Sequence, residues 1–128
     1  MSYRYDNQHY NPPAPLLPIT VRLPSDSIKQ VTTDSLVDTG ADVTCLPRAI
    51  INALGAERAS TYNVFGVNGV FIGIADSYFL EFEIASTKKF VEVIGIGDEP
   101  ILGRNLINEF TLELNGPTQK LSIVLDTE

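Results

Sequence analysis

Apolar residues recur with two different periods along this chain. Ile19-Thr-Val-Arg-Leu23 alternates apolar and polar, the pattern of a half-buried strand. Residues 24–27 carry the turn signals Pro, Ser, Asp and Ser, and residues 28–37 return as a second strand. Over residues 47–54 the period lengthens. Ile50, Ile51 and Leu54 form one helical stripe, Pro47 suits the first turn, and Gly55 stops the helix. Residues 62–84 read as a hairpin whose tip is Asn68-Gly69, a pair that favours the left-handed backbone of tight hairpin turns. Within it Leu80, Phe82 and Ile84 alternate with Glu81 and Glu83, so one face is buried and the other wet. Lys88-Lys89 is expected to turn the chain, and residues 90–96 to form another strand. A loop over 97–100 climbs through Ile101-Leu102 to Gly103, and a short helix is expected over 105–110. Residues 111–114 and 121–125 alternate around Asn115-Gly116-Pro117 as a terminal hairpin. These elements predict an all-β domain with two short helices over residues 19–128. Residues 1–18, rich in Tyr, Asn, Gln and Pro, have no apolar period and are expected to be an extended, disordered tail. A Pro-rich strand of this kind could also lie in a groove as a removable or inhibitory leader.

One stretch breaks the pattern. The apolar pair Leu36-Val37 ends abruptly at Asp38-Thr39-Gly40, and apolar residues return at Val43, Cys45 and Leu46. A strand therefore delivers an acid into a tight turn, with Gly40 leaving room that a Cβ would obstruct. An acid buried alone at a strand end is costly, so it needs a partner or a chemical task. The triplet by itself is also compatible with an ordinary surface turn.

Composition narrows the classes. A chain of 128 residues with 44% apolar content suits one compact domain with a modest core. A formal charge of −7 and a pI near 4.6 disfavour nucleic acid and anionic membranes as partners. No apolar run approaches spanning length, and the first residues lack the basic-then-apolar pattern of a signal peptide. The single cysteine, Cys45, cannot form an internal disulfide and reads as a small apolar residue beside the turn. The single histidine, His9, lies in the polar tail, which argues against histidine catalysis or a metal cluster. Neither metal nor cofactor is expected, and a reducing cytoplasm is the default compartment.

Three motifs stand in order: Val37-Asp38-Thr39-Gly40-Ala41-Asp42, the glycine-flanked hairpin tip at Gly66–Gly69, and Ile101-Leu102-Gly103-Arg104-Asn105-Leu106. Together they resemble the retropepsins, the single-lobed aspartic proteases of retroviruses and their cellular and bacterial relatives. The resemblance covers about Ile19 to about Leu114. It implies a small closed barrel-like sandwich, a mobile flap, and an aspartic endopeptidase. Two carboxyls sharing one proton supply the base and the acid of such a reaction. No second Asp-Thr-Gly or Asp-Ser-Gly occurs, so a catalytic Asp38 would have to meet the Asp38 of a second copy across a two-fold axis. The resemblance also implies that Thr39 ties the two turns together and that Gly40 leaves space for a substrate backbone. It implies that Gly66, Val67 and Asn68 close over a peptide or protein ligand, with Val37, Ala41 and Ile101 beside them. Asp42 and Arg104 match a family ion pair within the core near the dimer contact. Retroviral chains usually end near the first strand of the terminal hairpin, so the second is a departure. The alternative from another class is a non-cleaving protease-fold module for dimerisation or peptide binding.

Overall fold

The computed structural model of the chain describes residues 1–24 and 26–124. The expected turn residue Ser25 and the expected strand end at Leu125 lie outside the described residues. Strand β1 (Ser2–Arg4) opens the chain, followed by β2 (Leu16–Leu23) and β3 (Asp26–Val37). Then come β4 (Cys45–Leu46), helix α1 (Arg48–Leu54), β5 (Ser60–Phe65) and β6 (Phe71–Ile84). Strands β7 (Thr87–Gly95) and β8 (Ile101–Leu102) lead to helix α2 (Arg104–Ile107), β9 (Thr111–Asn115) and β10 (Lys120–Val124).

Seven strands form one sheet in the order β2-β3-β8-β4-β7-β6-β5, and an added β2–β6 pairing closes it into a barrel. At that seam Thr20, Val21 and Arg22 stand opposite Glu83, Phe82 and Glu81. Arg22 is almost fully buried, and its guanidinium bridges Glu81 at 2.8 Å, Glu83 at 3.0 Å and the Gln30 amide oxygen at 3.1 Å. A buried cation is tolerated only with its donors satisfied, and here β6 supplies the two carboxylates and β3 the amide oxygen.

The alternation seen in the sequence explains the core. Leu17, Ile19 and Val21 of β2 point inward with Leu80, Phe82 and Ile84 of β6, and Leu46, Leu54, Leu102 and Leu106 join them. Each such side chain contributes on the order of 1.5–3 kcal/mol by leaving water. Helix α1 buries Ile51 and Leu54, and Gly55 ends it with a left-handed backbone (φ 69°). No helix among the described residues is long and apolar enough to cross a membrane.

Two expectations need correction. Residues 1–18 are not a disordered tail. Ser2, Tyr3 and Arg4 pair with Ser122, Leu121 and Lys120, and β2 begins at Leu16. The cause is non-local: β1 completes a second, three-stranded sheet in the order β1-β10-β9, and Tyr3 and Tyr5 pack on the core. Lys88-Lys89 is not a turn either. Both lysines lie in β7 opposite Glu83 and Phe82, and the chain reverses instead at Ala85 and Ser86, both with positive φ (49° and 67°).

Candidate active site

Three consecutive amides at the end of β3 fix the acid-bearing turn. The Leu36 N–H donates to the Pro100 carbonyl (3.0 Å), Val37 to Pro15 (3.1 Å), and Asp38 to Leu102 (3.1 Å). Because a strand's amides alternate in direction, neighbouring residues bond to opposite sides. The parallel strand β8 therefore holds Asp38 and the residue preceding it holds Leu36, while the residue preceding β2 holds Val37. Asp38 is half-buried, and Thr39 and Gly40 are exposed.

The Gly40 N–H donates to Asp38 Oδ1 at 2.9 Å, and the Ala41 N–H donates to the Asp38 carbonyl at 3.2 Å. A Cβ on Gly40 would stand 3.1 Å from the same Oδ1, so glycine keeps the carboxylate face open. The need is for space beside the acid, and Gly40 does not take a positive φ. Charge-assisted donation from a backbone amide orients the carboxylate without blocking its second oxygen.

The returning chain is locked by a buried hub that the sequence reading missed. Asn105 Oδ1 accepts from the Thr44 N–H at 3.0 Å and from the Thr44 hydroxyl at 2.8 Å, and its Nδ2 donates to the Glu92 carbonyl at 2.9 Å. The Thr44 hydroxyl in turn accepts the Gly103 N–H at 3.0 Å. Gly103 has no freedom to be anything larger. A Cβ there would lie 2.4 Å from the Val43 carbonyl carbon and 2.8 Å from the Thr44 nitrogen. The motif's one available signal was an asparagine placed where α2 begins, which a helix interior disfavours.

Arg104 reaches back to the turn. Its Nη2 meets Asp42 Oδ1 at 2.7 Å, and its Nη1 donates to the Thr39 carbonyl at 2.7 Å. The pair is on the surface of the chain, however, with the Arg104 and Asp42 side chains 44% and 88% exposed. In the single chain α2 presents Arg104 outward while Leu106 turns in, and the expected place of the pair, within the core near a dimer contact, concerns two chains.

Val37 and Thr39 line an apolar cleft with Ile107, Phe110, Leu112 and Leu114. Ile101 is half-buried opposite Leu36. Gly66, Val67 and Asn68 form the hairpin tip, where Gly66 donates to the Val70 carbonyl at 2.7 Å and Gly69 to the Gly66 carbonyl at 3.1 Å. Asn68 (φ 73°) and Gly69 (φ 71°) take the left-handed conformations that this pair favours. The tip's hydrogen bonds stay within the hairpin, and Val67 is 88% exposed. Phe65, Val70, Phe71, Ile72 and Ile74 are also more than half exposed, and the rings of Phe65 and Phe71 meet edge to face. Six apolar side chains more than half exposed thus stand on one hairpin.

Cys45 is half-buried, and burial, then the negative charge of Asp38, pushes its thiol above the ordinary value. Tyr10 donates its hydroxyl to Glu99, and that hydrogen bond raises the phenol to about 12. Among the described residues no three His, Cys, Asp or Glu side chains are grouped as metal ligands.

No family model matches the chain, and no curated protein matches its sequence. Solved structures do match its fold. A retropepsin-like aspartic protease from Rickettsia conorii aligns with a TM-score of 0.59 at 17% identity, over 94% of this chain and 86% of that one. The EIAV protease complexed with an inhibitor gives 0.57 at 21% identity, over 81% and 91%. The Simian Foamy Virus (mac) protease gives 0.51 at 21% identity, over 71% and 91%. The chain has the retropepsin-like fold.

Proposed function

We propose that the chain is an aspartic endopeptidase whose site is completed by a second copy. The observation that carries this reading is the carboxylate of Asp38. It is oriented by the Gly40 amide and left open on its other side, and its backbone is held by hydrogen bonds from Asp38 to Leu102 of β8 and from Val37 to Pro15. An ordinary turn acid needs none of that rigidity.

One carboxylate cannot be base and acid in the same step. Two in contact hold a single proton between them, because the second ionisation is opposed by the first charge. The ionised Asp38 takes a proton from water as the water oxygen attacks the scissile carbonyl carbon. The protonated Asp38 of the other copy gives its proton to the carbonyl oxygen. Collapse of the tetrahedral species breaks the C–N bond, and the leaving nitrogen receives a proton from the dyad.

The exposed features support pairing of two chains. Strand β9 is one edge of the three-stranded sheet, whose apolar face is only partly covered: Leu121 and Ile123 of β10 are buried, whereas Leu114 of β9 is 50% exposed. That uncovered face continues into the cleft holding Val37 and Thr39, beside the acid that needs its mate. The apolar hairpin serves as the flap over an extended peptide, which binds as an added strand with alternate side chains in apolar subsites. Val37, Ala41, Gly66, Val67, Asn68 and Ile101 line this path in the reading, and Asp42 with Arg104 braces the turn. A free, unreactive cysteine fits a cytoplasmic setting.

A non-cleaving peptide-binding module would share the hairpin and the pairing, and Asp38 separates the two readings. The test is cleavage of an unfolded protein at several chain concentrations, with and without a peptide-like inhibitor carrying a tetrahedral hydroxyl. Activity should rise more than linearly with concentration, fall with the inhibitor, and vanish in Asp38→Asn. Turnover undiminished in purified Asp38→Asn would refute the mechanism.

A further inference from the structure

We propose that the N-terminal arm, residues 5–15, is a lasting part of the site's scaffold, and that Tyr10 is a positioning residue for the Asp38 turn. The inference rests on the endopeptidase reading of Asp38. It opposes the idea of a leader that is shed.

The arm crosses from the terminal sheet to the turn by a chain of specific bonds. The Tyr5 N–H donates to the Gln119 carbonyl at 2.9 Å, anchoring the arm's start to the turn before β10. Asp6 and Ala14 exchange both backbone bonds, at 2.9 and 3.1 Å, and so close residues 7–13 into a loop. The Asp6 carboxylate accepts from the Gln8 and His9 amides at 2.8 and 3.0 Å, which stiffens the start of that loop. The arm ends at Pro15, whose carbonyl accepts the Val37 N–H one step beyond the Leu16–Leu36 pair of β2 and β3.

The loop makes one side-chain contact that explains its course. Tyr10 reaches Glu99, in the segment that leads into β8. That segment also supplies the Pro100 carbonyl to Leu36, and β8 supplies the Leu102 carbonyl to Asp38. The end of β3 is therefore gripped on one side by the arm and on the other by residues 100–102. Tyr10 is the tie between the two grips. Cutting it leaves each side attached, but frees them to shift relative to one another around the acid. Small displacements of a reacting group are costly in rate even where the fold survives.

The experiment compares Tyr10→Phe, Glu99→Ala and Glu99→Gln in the full chain. The glutamine variant keeps an acceptor for the tyrosine hydroxyl, whereas the other two remove the bond. Turnover is expressed per active site, titrated with a tight-binding transition-state analogue, so that a loss of folded protein does not count as a loss of rate. Tyr10→Phe and Glu99→Ala should lower kcat per site by about five- to tenfold with little change in KM, and Glu99→Gln should stay within about twofold of the parent. A parental kcat in Tyr10→Phe, or a Glu99→Gln variant as slow as Glu99→Ala, overturns the proposal. Amide exchange keeps this separate from the endopeptidase reading. If the parent cleaves nothing, that reading fails. The positioning role of Tyr10 then stands on faster exchange at Leu36 and Val37 in Tyr10→Phe than in Glu99→Gln, and falls if the two exchange alike.

Discussion

Replacing Asn105 with alanine should cost about 3–5 kcal/mol, whereas replacing its neighbour Arg104 should cost about 1 kcal/mol or less. Asn105 makes three hydrogen bonds of 2.8–3.0 Å that join the returning turn, α2 and β7. Its partner Thr44 is fully buried, so water cannot readily replace the lost amide. Each buried group left without a partner costs about 1–3 kcal/mol, and alanine strands the Thr44 N–H and the Glu92 carbonyl together. The Thr44 hydroxyl loses its acceptor as well but still receives the Gly103 N–H. Arg104 is different in kind. Both its partners lie at the surface, Asp42 at 88% exposure and the carbonyl of exposed Thr39, where water can replace the lost guanidinium, and a surface ion pair is worth about 0–1 kcal/mol. For a domain of this size each kcal/mol moves Tm by roughly 3–5 °C, so Asn105→Ala should melt about 10–20 °C lower and Arg104→Ala less than about 5 °C lower. Melting followed by circular dichroism, at a chain concentration where sedimentation shows monomer, gives both values without any contribution from pairing. The reasoning is refuted if Arg104→Ala loses more than Asn105→Ala, or if Asn105→Ala melts within a few degrees of the parent.

Gly103→Ala should be more damaging than its single methyl suggests, because the new Cβ meets backbone atoms at 2.4–2.8 Å that have no rotamer to escape into. Poor recovery of folded protein, or a loss of about 3 kcal/mol or more in urea, is expected, and a parental denaturation midpoint would exclude the clash. Cys45 should resist alkylation at neutral pH, since its raised thiol is less ionised than a free one. A folded value above the unfolded 9.0 means that the neutral thiol's stabilisation is fully present below pH 9 and is lost as pH rises beyond it. Iodoacetamide kinetics as fast as those of a model thiol would contradict this. Ala41→Ser should shift the pH profile of peptide cleavage toward acid by a fraction of a unit or more, because a hydroxyl donor beside Asp38 favours a charged carboxyl. An unmoved or alkaline-shifted profile would show that Ala41 matters only for packing.

What the sequence disclosed was local. The Asp38 turn, α1 with its Gly55 stop, and the Asn68-Gly69 tip each carry their instruction within a few residues. The retropepsin-like barrel followed from their order. The missed features depend on partners far along the chain. Residues 2–4 have no apolar period because their strand is set by residues 120–122. Arg22 looks like an ordinary wet position in an alternating strand, and only the β2–β6 seam buries it. Thr44 and Asn105 lie 61 residues apart, and polar partners at that distance leave no periodic trace. The reversal at Ala85-Ser86 lacks the glycine or asparagine that advertises positive φ, so the adjacent lysines drew attention instead. Exposure of the Asp42–Arg104 pair was equally hidden, because spacing identifies a partner without saying which way a short helix faces.

The pairing of β1 with β10 also sets an order of events. A ribosome releases residues 2–4 more than a hundred residues before the strand that receives them. Until residues 120–122 emerge, β1 has no partner and the arm has no anchor at Gln119. Contacts this distant in sequence are slow to form, because the loop between them must first be closed. The barrel can gather its neighbouring strands during synthesis, the Pro15–Val37 bond beside the β2–β3 pair among them, yet the three-stranded sheet and the arm's anchor at Gln119 are among the last features to be secured. The strand that receives β1 thus fastens one end of the described chain to the other only after everything between them has been made.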